Sequence, residues 1–222
     1  MGGATQAALP TFHTHTVLSP NAIQLDRLNT RMQSLLQWDT ALFHFINDSL
    51  SNRLFDALLP WCREKWFWAP VYLFVGAFTW THFGRRGGWV ILGLVLCVFL
   101  ADTVSSQLIK KNVQRIRPCN DPALSATVRL RTDCGSGYSF TSSHAANHFA
   151  VAVFLIGIFG GMARWVRPAA LGWAALIAFS QVYVGVHYPG DVICGALLGG
   201  GVGYLVRGVK GDFLGKGDFL GK

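Results

Sequence analysis

The sequence predicts an all-α integral membrane helical bundle of five strong spans and a sixth candidate, preceded by an interfacial N-terminal helical region. Three observations predict it. Of 222 residues, 51% are hydrophobic and only 14% charged, whereas a soluble domain carries about 25% charged residues. Mean hydropathy is +0.36. Long uncharged runs alternate with short polar ones, and the polar residues collect at the ends of the runs.

A hydrocarbon core of about 30 Å needs roughly 17–25 helical residues. The apolar stretches at about 66–83, 88–109, 145–163, 168–186 and 191–206 meet that length or fall one residue short of it. Residues 36–61 are mixed: apolar faces are interrupted by Asp39, Asn47, Asp48 and Asp56. They read as an interfacial helix or a sixth span, broken or kinked at Pro60. Residues 1–21 contain no apolar core of the signal-peptide kind. The reading is a mobile tail over 1–35, a membrane domain over 36–207 and a C-terminal tail over 208–222. In that last stretch GDFLGK occurs twice in tandem, as an appended sequence would.

The net charge of +8 does not point to nucleic acid. The basic residues lie in short loops beside apolar spans, where they orient helices and meet anionic headgroups. No nucleic-acid-binding motif is present. The eight Trp residues suit membrane-interface belts.

Alternating the loops across the five strong spans puts Arg85, Arg86, Arg164, Arg167 and Arg207 on one side, expected to be cytoplasmic. Residues 63–65 (Arg63 to Lys65), the long loop 110–144 and the turn 187–190 fall on the other. That face collects three polar clusters: 110–118 (KKNVQRIRP), 142–148 (SSHAANH) and 180–191 (SQVYVGVHYPGD). Ionisable groups at the edge of a membrane are functional candidates.

Each cluster has a bland reading beside a chemical one. Lys110 and Arg117 are seven apart, two turns along one helix face. They are a basic collar or a phosphate clamp, and Pro118 ends their helix. Lys111 and Arg115 lie off that face, as solvated or headgroup-binding residues. Ser142 and Ser143 precede an apolar helix, so they cap it or present its free N–H groups to an anion. His144 can donate a proton to a departing oxygen, and His148 one turn on reads as its support. Asp191 caps its own helix or fixes the tautomer of His187. An imidazole held that way can attack phosphorus. If the long loop faces an oxidising compartment, Cys119 and Cys134 can pair, worth roughly 3 kcal/mol; otherwise they are free thiols. Cys97 and Cys194 are packing residues in apolar segments.

Taken together, Lys110-x6-Arg117-Pro118, Ser142-Ser143-His144 and Ser180-x6-His187-x3-Asp191 resemble the three-part signature of the type-2 phosphatidic acid phosphatase superfamily. That superfamily includes membrane lipid phosphatases and soluble vanadium haloperoxidases. The resemblance spans residues 36–207 and implies a six-helix membrane bundle and a phosphohydrolase with no metal or other cofactor. It implies that His187 is the nucleophile, Asp191 its orienting partner and His144 the proton donor to the leaving group. Lys110, Arg117, Ser142, Ser143 and Gln181 would hold phosphate oxygens. Two positions depart from the pattern. Thr141-Ser142-Ser143-His144 stands where Pro-Ser-Gly-His is usual, and Gln181 stands where Arg is usual. Losing a charge-assisted bond of that kind costs roughly 1.5–3 kcal/mol unless another cation replaces it; Arg115 and Lys111 are nearest in sequence.

The expected partners are the lipid bilayer and a phospholipid or prenyl-phosphate substrate, with no nucleic acid. Undecaprenyl diphosphate leads phosphatidic acid, phosphatidylglycerophosphate and lipid A phosphates as candidate substrate. The expected place is a bacterial inner membrane, with the site on the periplasmic side. The alternatives are a lipid phosphotransferase using the same site and a non-catalytic anionic-lipid binder. A metalloenzyme built on the i, i+4 pair His144 and His148 is disfavoured by the surrounding cations.

Overall fold

The computed structural model describes residues 20–213, which among themselves form helices and loops and no strand. The chain divides into two compact units, residues 1–38 and 39–222. In the first, the described residues belong to α1 (Pro20–His44). Residues 20–35, grouped with the tail by the sequence reading, are therefore helical. No Pro or Gly interrupts α1 after Pro20, and Leu, Arg, Met and Gln are strong helix formers.

The second unit opens with the last turns of α1, a π-helical turn (Phe45–Ser49) and α2 (Arg53–Cys62). Pro60 lies inside α2 rather than at a break. The break falls before Asn52, whose side chain accepts the Phe55 N–H at 2.9 Å and starts the helix anew. Next comes α3 (Ala69–Thr103), two helices in one run, joined at Gly84. Gly84 has φ 50° and ψ −126°, a conformation that favours glycine. A second π-helical turn (Val104–Ile109) leads to the short α4 (Lys110–Val113). The bundle is completed by α5 (Ser143–Phe159), α6 (Val166–Tyr183) and α7 (Pro189–Phe213). By length and composition, two helical stretches can cross a membrane, Ala69–Asn120 and Pro189–Gly208. Ser143–Phe159 is a shorter apolar helix. The first copy of the terminal repeat begins inside α7; residues 214–222, with the second copy, lie outside the described residues, as do 1–19.

The core is assembled from small residues. Val90, Cys97, Ala101, Ala146, Ala150 and Phe154 are buried together between α3, α5 and α7. Along α7, Gly195, Gly199 and Gly203 recur every fourth residue and face Ser142, which caps α5, and Ala146 and Ala150 within it. A Cβ on these glycines would come within 2.6, 2.0 and 2.3 Å of the opposing carbonyl oxygens. This is the small-residue spacing that lets two helix backbones touch. It draws the first turn of α7 onto the first turn of α5, where the Ser142 N–H donates to the Asp191 carbonyl at 3.1 Å.

The long loop is clamped from both ends. Cys119 and Cys134 form a disulfide, with Cα atoms 6.0 Å apart. Asn47 donates to the carbonyls of Arg129 and Tyr183 and accepts the Arg129 N–H. Arg131 pairs with Asp56, donates to the Tyr183 carbonyl at 2.9 Å and lies over the Tyr183 ring. Those contacts hold residues 128–132 across the C-terminal end of α6, just before the predicted nucleophile.

Candidate active site

Four local features bring the polar side chains together. At the end of α6, Gly185 takes φ 92° and reverses the chain after Val184, the usual role of a glycine just past a helix. His187 follows and is 2% exposed. Asp191 lies in the first turn of α7, fully buried. Its Oδ2 lies 3.5 Å from His187 Nδ1, a long contact, and accepts the Tyr188 N–H at 2.8 Å. The carboxylate thus caps its own helix through Tyr188 and also lies beside His187 Nδ1, so the two readings offered by the sequence are compatible. His187 Nε2 has no hydrogen-bond partner among the described residues.

Two groups unforeseen in the sequence complete this corner. The Ser139 hydroxyl donates to Asp191 Oδ2 and lies 3.5 Å from His187 Nδ1. Arg115, read as solvated or headgroup-binding, instead bridges two carboxylates. It donates to Asp191 Oδ1 at 2.8 Å and to Asp39 Oδ2 at 2.7 Å. Asp39 Oδ1 accepts the Gly190 N–H at 2.7 Å, and the guanidinium lies 3.8 Å from the Tyr188 ring centroid. Arg115 therefore cannot replace the charge missing at Gln181. Its own backbone carbonyl accepts the Ser139 N–H at 2.7 Å, so one residue anchors both the serine and the aspartate.

Lys110 and Arg117 do not share a helix face, contrary to expectation. The helix ends at Val113, and Gln114 adopts the left-handed conformation with φ 52°. Its N–H closes on the Lys110 carbonyl, and the chain reaches Arg117 as an extended loop. Arg117 Nε donates to the Gly137 carbonyl at 2.8 Å. Neither cation forms an ion pair among the described residues, yet both act on His187 through space.

The second cluster opens α5. The Ser142 hydroxyl caps Ala145, and its N–H is held by the Asp191 carbonyl. Ser143 Oγ lies 3.0 Å from both Ser105 Oγ and Ser106 Oγ of the second π-helical turn. The two serine hydroxyls are thus committed to structure. What remains for an anion is the pair of first-turn amides, Ser143 and His144, at a helix N-terminus. His148 Nδ1 donates to the His144 carbonyl (2.7 Å), and its Nε2 lies 3.1 Å from the Tyr72 hydroxyl.

Gln181 is fully buried, and neither its Oε1 nor its Nε2 has a partner among the described residues. A buried amide with no partner is rare in a protein interior and calls for a missing ligand, water or ion. One further cation belongs here. Arg63, the residue after α2, donates to Thr132 Oγ1 of the long loop while its Nε is buried without a partner. Its charge acts on Arg117 and on His144.

The electrostatics divide the two histidines. Burial pushes His187 down to about 4; Asp191 opposes the shift, and Arg117 and Lys110 reinforce it. His187 is therefore neutral at pH 7, as a nucleophile must be. His144 is held at about 3, first by burial and then by Arg63, His148, His187 and Lys110. A phosphate dianion placed among those cations acts on it with the opposite sign and raises its affinity for a proton. Among the described residues no group of three or more His, Cys, Asp or Glu side chains is arranged to hold a metal ion.

Comparison with known proteins gives the family and the fold. Residues 88–213 match the PAP2 superfamily. A lipid A 4'-phosphatase of Bacteroides thetaiotaomicron is 30% identical over 170 residues, covering 75% of this chain and 74% of that protein. An undecaprenyl-diphosphatase of Sulfolobus acidocaldarius is 28% identical over 171 residues, covering 76% of each. The crystal structure of a transmembrane PAP2-type phosphatidylglycerolphosphate phosphatase from Bacillus subtilis superposes with a TM-score of 0.61. It covers 81% of this chain and 87% of that one at 21% identity, a likeness of fold. The chain belongs to the PAP2 superfamily and is a hydrolase acting on phosphoric esters.

Proposed function

We propose that this protein is an integral membrane phosphatase that removes a terminal phosphate from a lipid monoester or diphosphate through a phosphohistidine. The observation that carries the reading is His187. It is buried and neutral, Nδ1 is turned to Asp191, Nε2 is free, and Lys110, Arg117 and His144 lie around it.

In the first step Nε2 attacks phosphorus, the N–P bond forms and the bond to the leaving oxygen breaks. Lys110, Arg117 and the amides of Ser143 and His144 hold the phosphoryl oxygens, where negative charge concentrates. His144 gives its proton to the leaving oxygen when that oxygen is an alkoxide. In the second step His144 takes a proton from water, whose oxygen displaces His187 and releases inorganic phosphate. Asp191 stabilises the charge that His187 carries between the steps. No metal enters either step.

Exposed apolar side chains such as Leu73, Phe74, Phe99, Leu197 and Leu205 support a lipid-facing exterior, with five spans and a sixth over 36–61. The disulfide supports an oxidising compartment for the site, on the periplasmic side of a bacterial inner membrane. Undecaprenyl diphosphate, phosphatidic acid, phosphatidylglycerophosphate and lipid A form the substrate panel.

The test is phosphate release by detergent-purified protein with EDTA present, beside His187→Ala and His144→Ala. The expected result is metal-independent release with at least about a thousand-fold loss in His187→Ala. Acid-labile label on the wild-type protein, absent from His187→Ala, identifies the intermediate. Turnover retained in His187→Ala removes the mechanism.

A further inference from the structure

We propose that Arg63 binds a second phosphoryl group, on the leaving-group side of the scissile phosphate, and so directs the enzyme toward lipid diphosphates. The inference rests on the phosphatase reading above and names its substrate class.

The geometry begins with the long loop. The stretch 132–137 carries two guanidinium anchors: Thr132 Oγ1 accepts from Arg63, and the Gly137 carbonyl accepts from Arg117. Cys134, between them, is bonded to Cys119, two residues past Arg117. Asn120 adds a bond to the Gly135 carbonyl at 3.1 Å. One covalently closed segment thus fixes both arginines, although they stand 54 residues apart in the chain (117 − 63).

Neither forms an ion pair with a carboxylate among the described residues, and nor does Lys110; Glu64 and Asp133 act on Arg63 only through space. Arg115, the remaining arginine of the first motif, is held by Asp39 and Asp191. Arg63 acts on Arg117, and Arg117 on Lys110, with like charge. An anion drawn among these partly buried cations relieves that repulsion. A phosphomonoester carries about −1.5 to −2 at pH 7, and a diphosphate adds another ionised phosphoryl group. Arg63 keeps a buried Nε with no partner, and a guanidinium offers a phosphate two parallel N–H bonds.

Arg63 heads the charged groups acting on His144, the residue that faces the leaving oxygen. That assigns it to the leaving group rather than to the phosphorus under attack. The chemistry fits. With a diphosphate the His187–phosphorus bond forms as the bridging P–O bond breaks, and its electron pair stays on the bridging oxygen of the lipid monophosphate. A phosphate leaving group is a much weaker base than an alkoxide and departs without a proton. A fixed cation then does what His144 does for an alcohol. Water next breaks the N–P bond and releases inorganic phosphate.

The probe pair is farnesyl diphosphate and farnesyl monophosphate, which share one tail, assayed with wild type, Arg63→Gln, Arg63→Lys and Thr132→Val. The expected result is a diphosphate-to-monophosphate kcat/KM ratio at least tenfold lower in Arg63→Gln. Arg63→Lys recovers part of the ratio, and Thr132→Val lowers it while Arg63 stays in place. An unchanged ratio in Arg63→Gln overturns the proposal, whether both activities persist or both fall together. If Arg63→Gln does not fold, an unchanged ratio in Thr132→Val overturns it. Wild type that releases phosphate from the monophosphate alone also overturns it and leaves the phosphatase reading standing. Release from neither probe nor any lipid of the panel sinks the phosphatase reading itself.

Discussion

Replacing Arg115 by Gln tests how the nucleophile is tuned. Arg115 holds Asp191 at 2.8 Å and Asp39 at 2.7 Å, with side chains 19%, 0% and 14% exposed. Removing the cation leaves two carboxylates facing an uncharged amide, a loss on the order of 3–5 kcal/mol for a buried pair broken on one side. Asp191 then acts more strongly on its other partner, His187 Nδ1, and favours the imidazolium. In the wild-type protein burial holds His187 near 4, against an ordinary value of 6.5. The sign follows: the acidic limb of kcat/KM, which reports the free enzyme's essential base, rises from near 4 toward 6.5 in Arg115→Gln. Loss of the clamp also displaces the carboxylate, so kcat falls by about a hundredfold. The assay is a pH–rate profile of phosphate release with thermal unfolding in the same detergent. Asp39→Asn is the partner measurement: it leaves Arg115 wholly to Asp191, and the limb stays at or below the wild-type position. A limb that does not move, with kcat within about twofold of wild type, refutes the reasoning. Ser139 and the Tyr188 N–H would then suffice to hold Asp191.

Three other perturbations have definite outcomes. Cys119→Ser with Cys134→Ser opens a loop of 15-residue separation and costs about 3 kcal/mol in the chain-entropy model. Melting temperature and kcat/KM fall together, and dithiothreitol reproduces the effect in the wild type alone. Gln181→Arg adds an unpaired cation to a buried position, so it lowers the melting temperature in buffer and regains it in orthovanadate; a parallel curve without anion dependence contradicts a phosphate-facing Gln181. Gly199→Val drives a Cβ to 2.0 Å from the Ala146 carbonyl, and the protein fails to yield monodisperse material, whereas Gly201→Ala, with nothing within 4 Å, is tolerated.

The parts of the site visible in the sequence were those with local signatures. His187 and Asp191 are four apart across a Pro-Gly break. Ser142, Ser143 and His144 open an apolar run, and the segments themselves declare their lengths. The remainder depends on contacts that no periodicity encodes. Arg115 meets Asp39 and Asp191 each 76 positions away, and Ser139 meets Asp191 52 positions away. Asp39 did carry a trace, as an acidic residue within an apolar stretch that needs a partner. Arg63 carried none, because a basic residue beside a membrane span is ordinary. The face shared by Lys110 and Arg117 failed for a different reason. Helical spacing does not continue through Gln114, whose left-handed conformation ends the helix at Val113, about one turn short of Arg117.

The glycine ladder of α7 has a bearing on traffic. Where carbonyls of one helix lie against bare Cα atoms of the next, no methylene can pass between them. The α5–α7 flank is therefore closed to an acyl or prenyl tail, however the bilayer is composed. A substrate must slide in from another side of the bundle and present its headgroup to a wall that does not yield. Selection among lipids then acts at the headgroup and at the remaining doorways, while this seam serves as the fixed jamb.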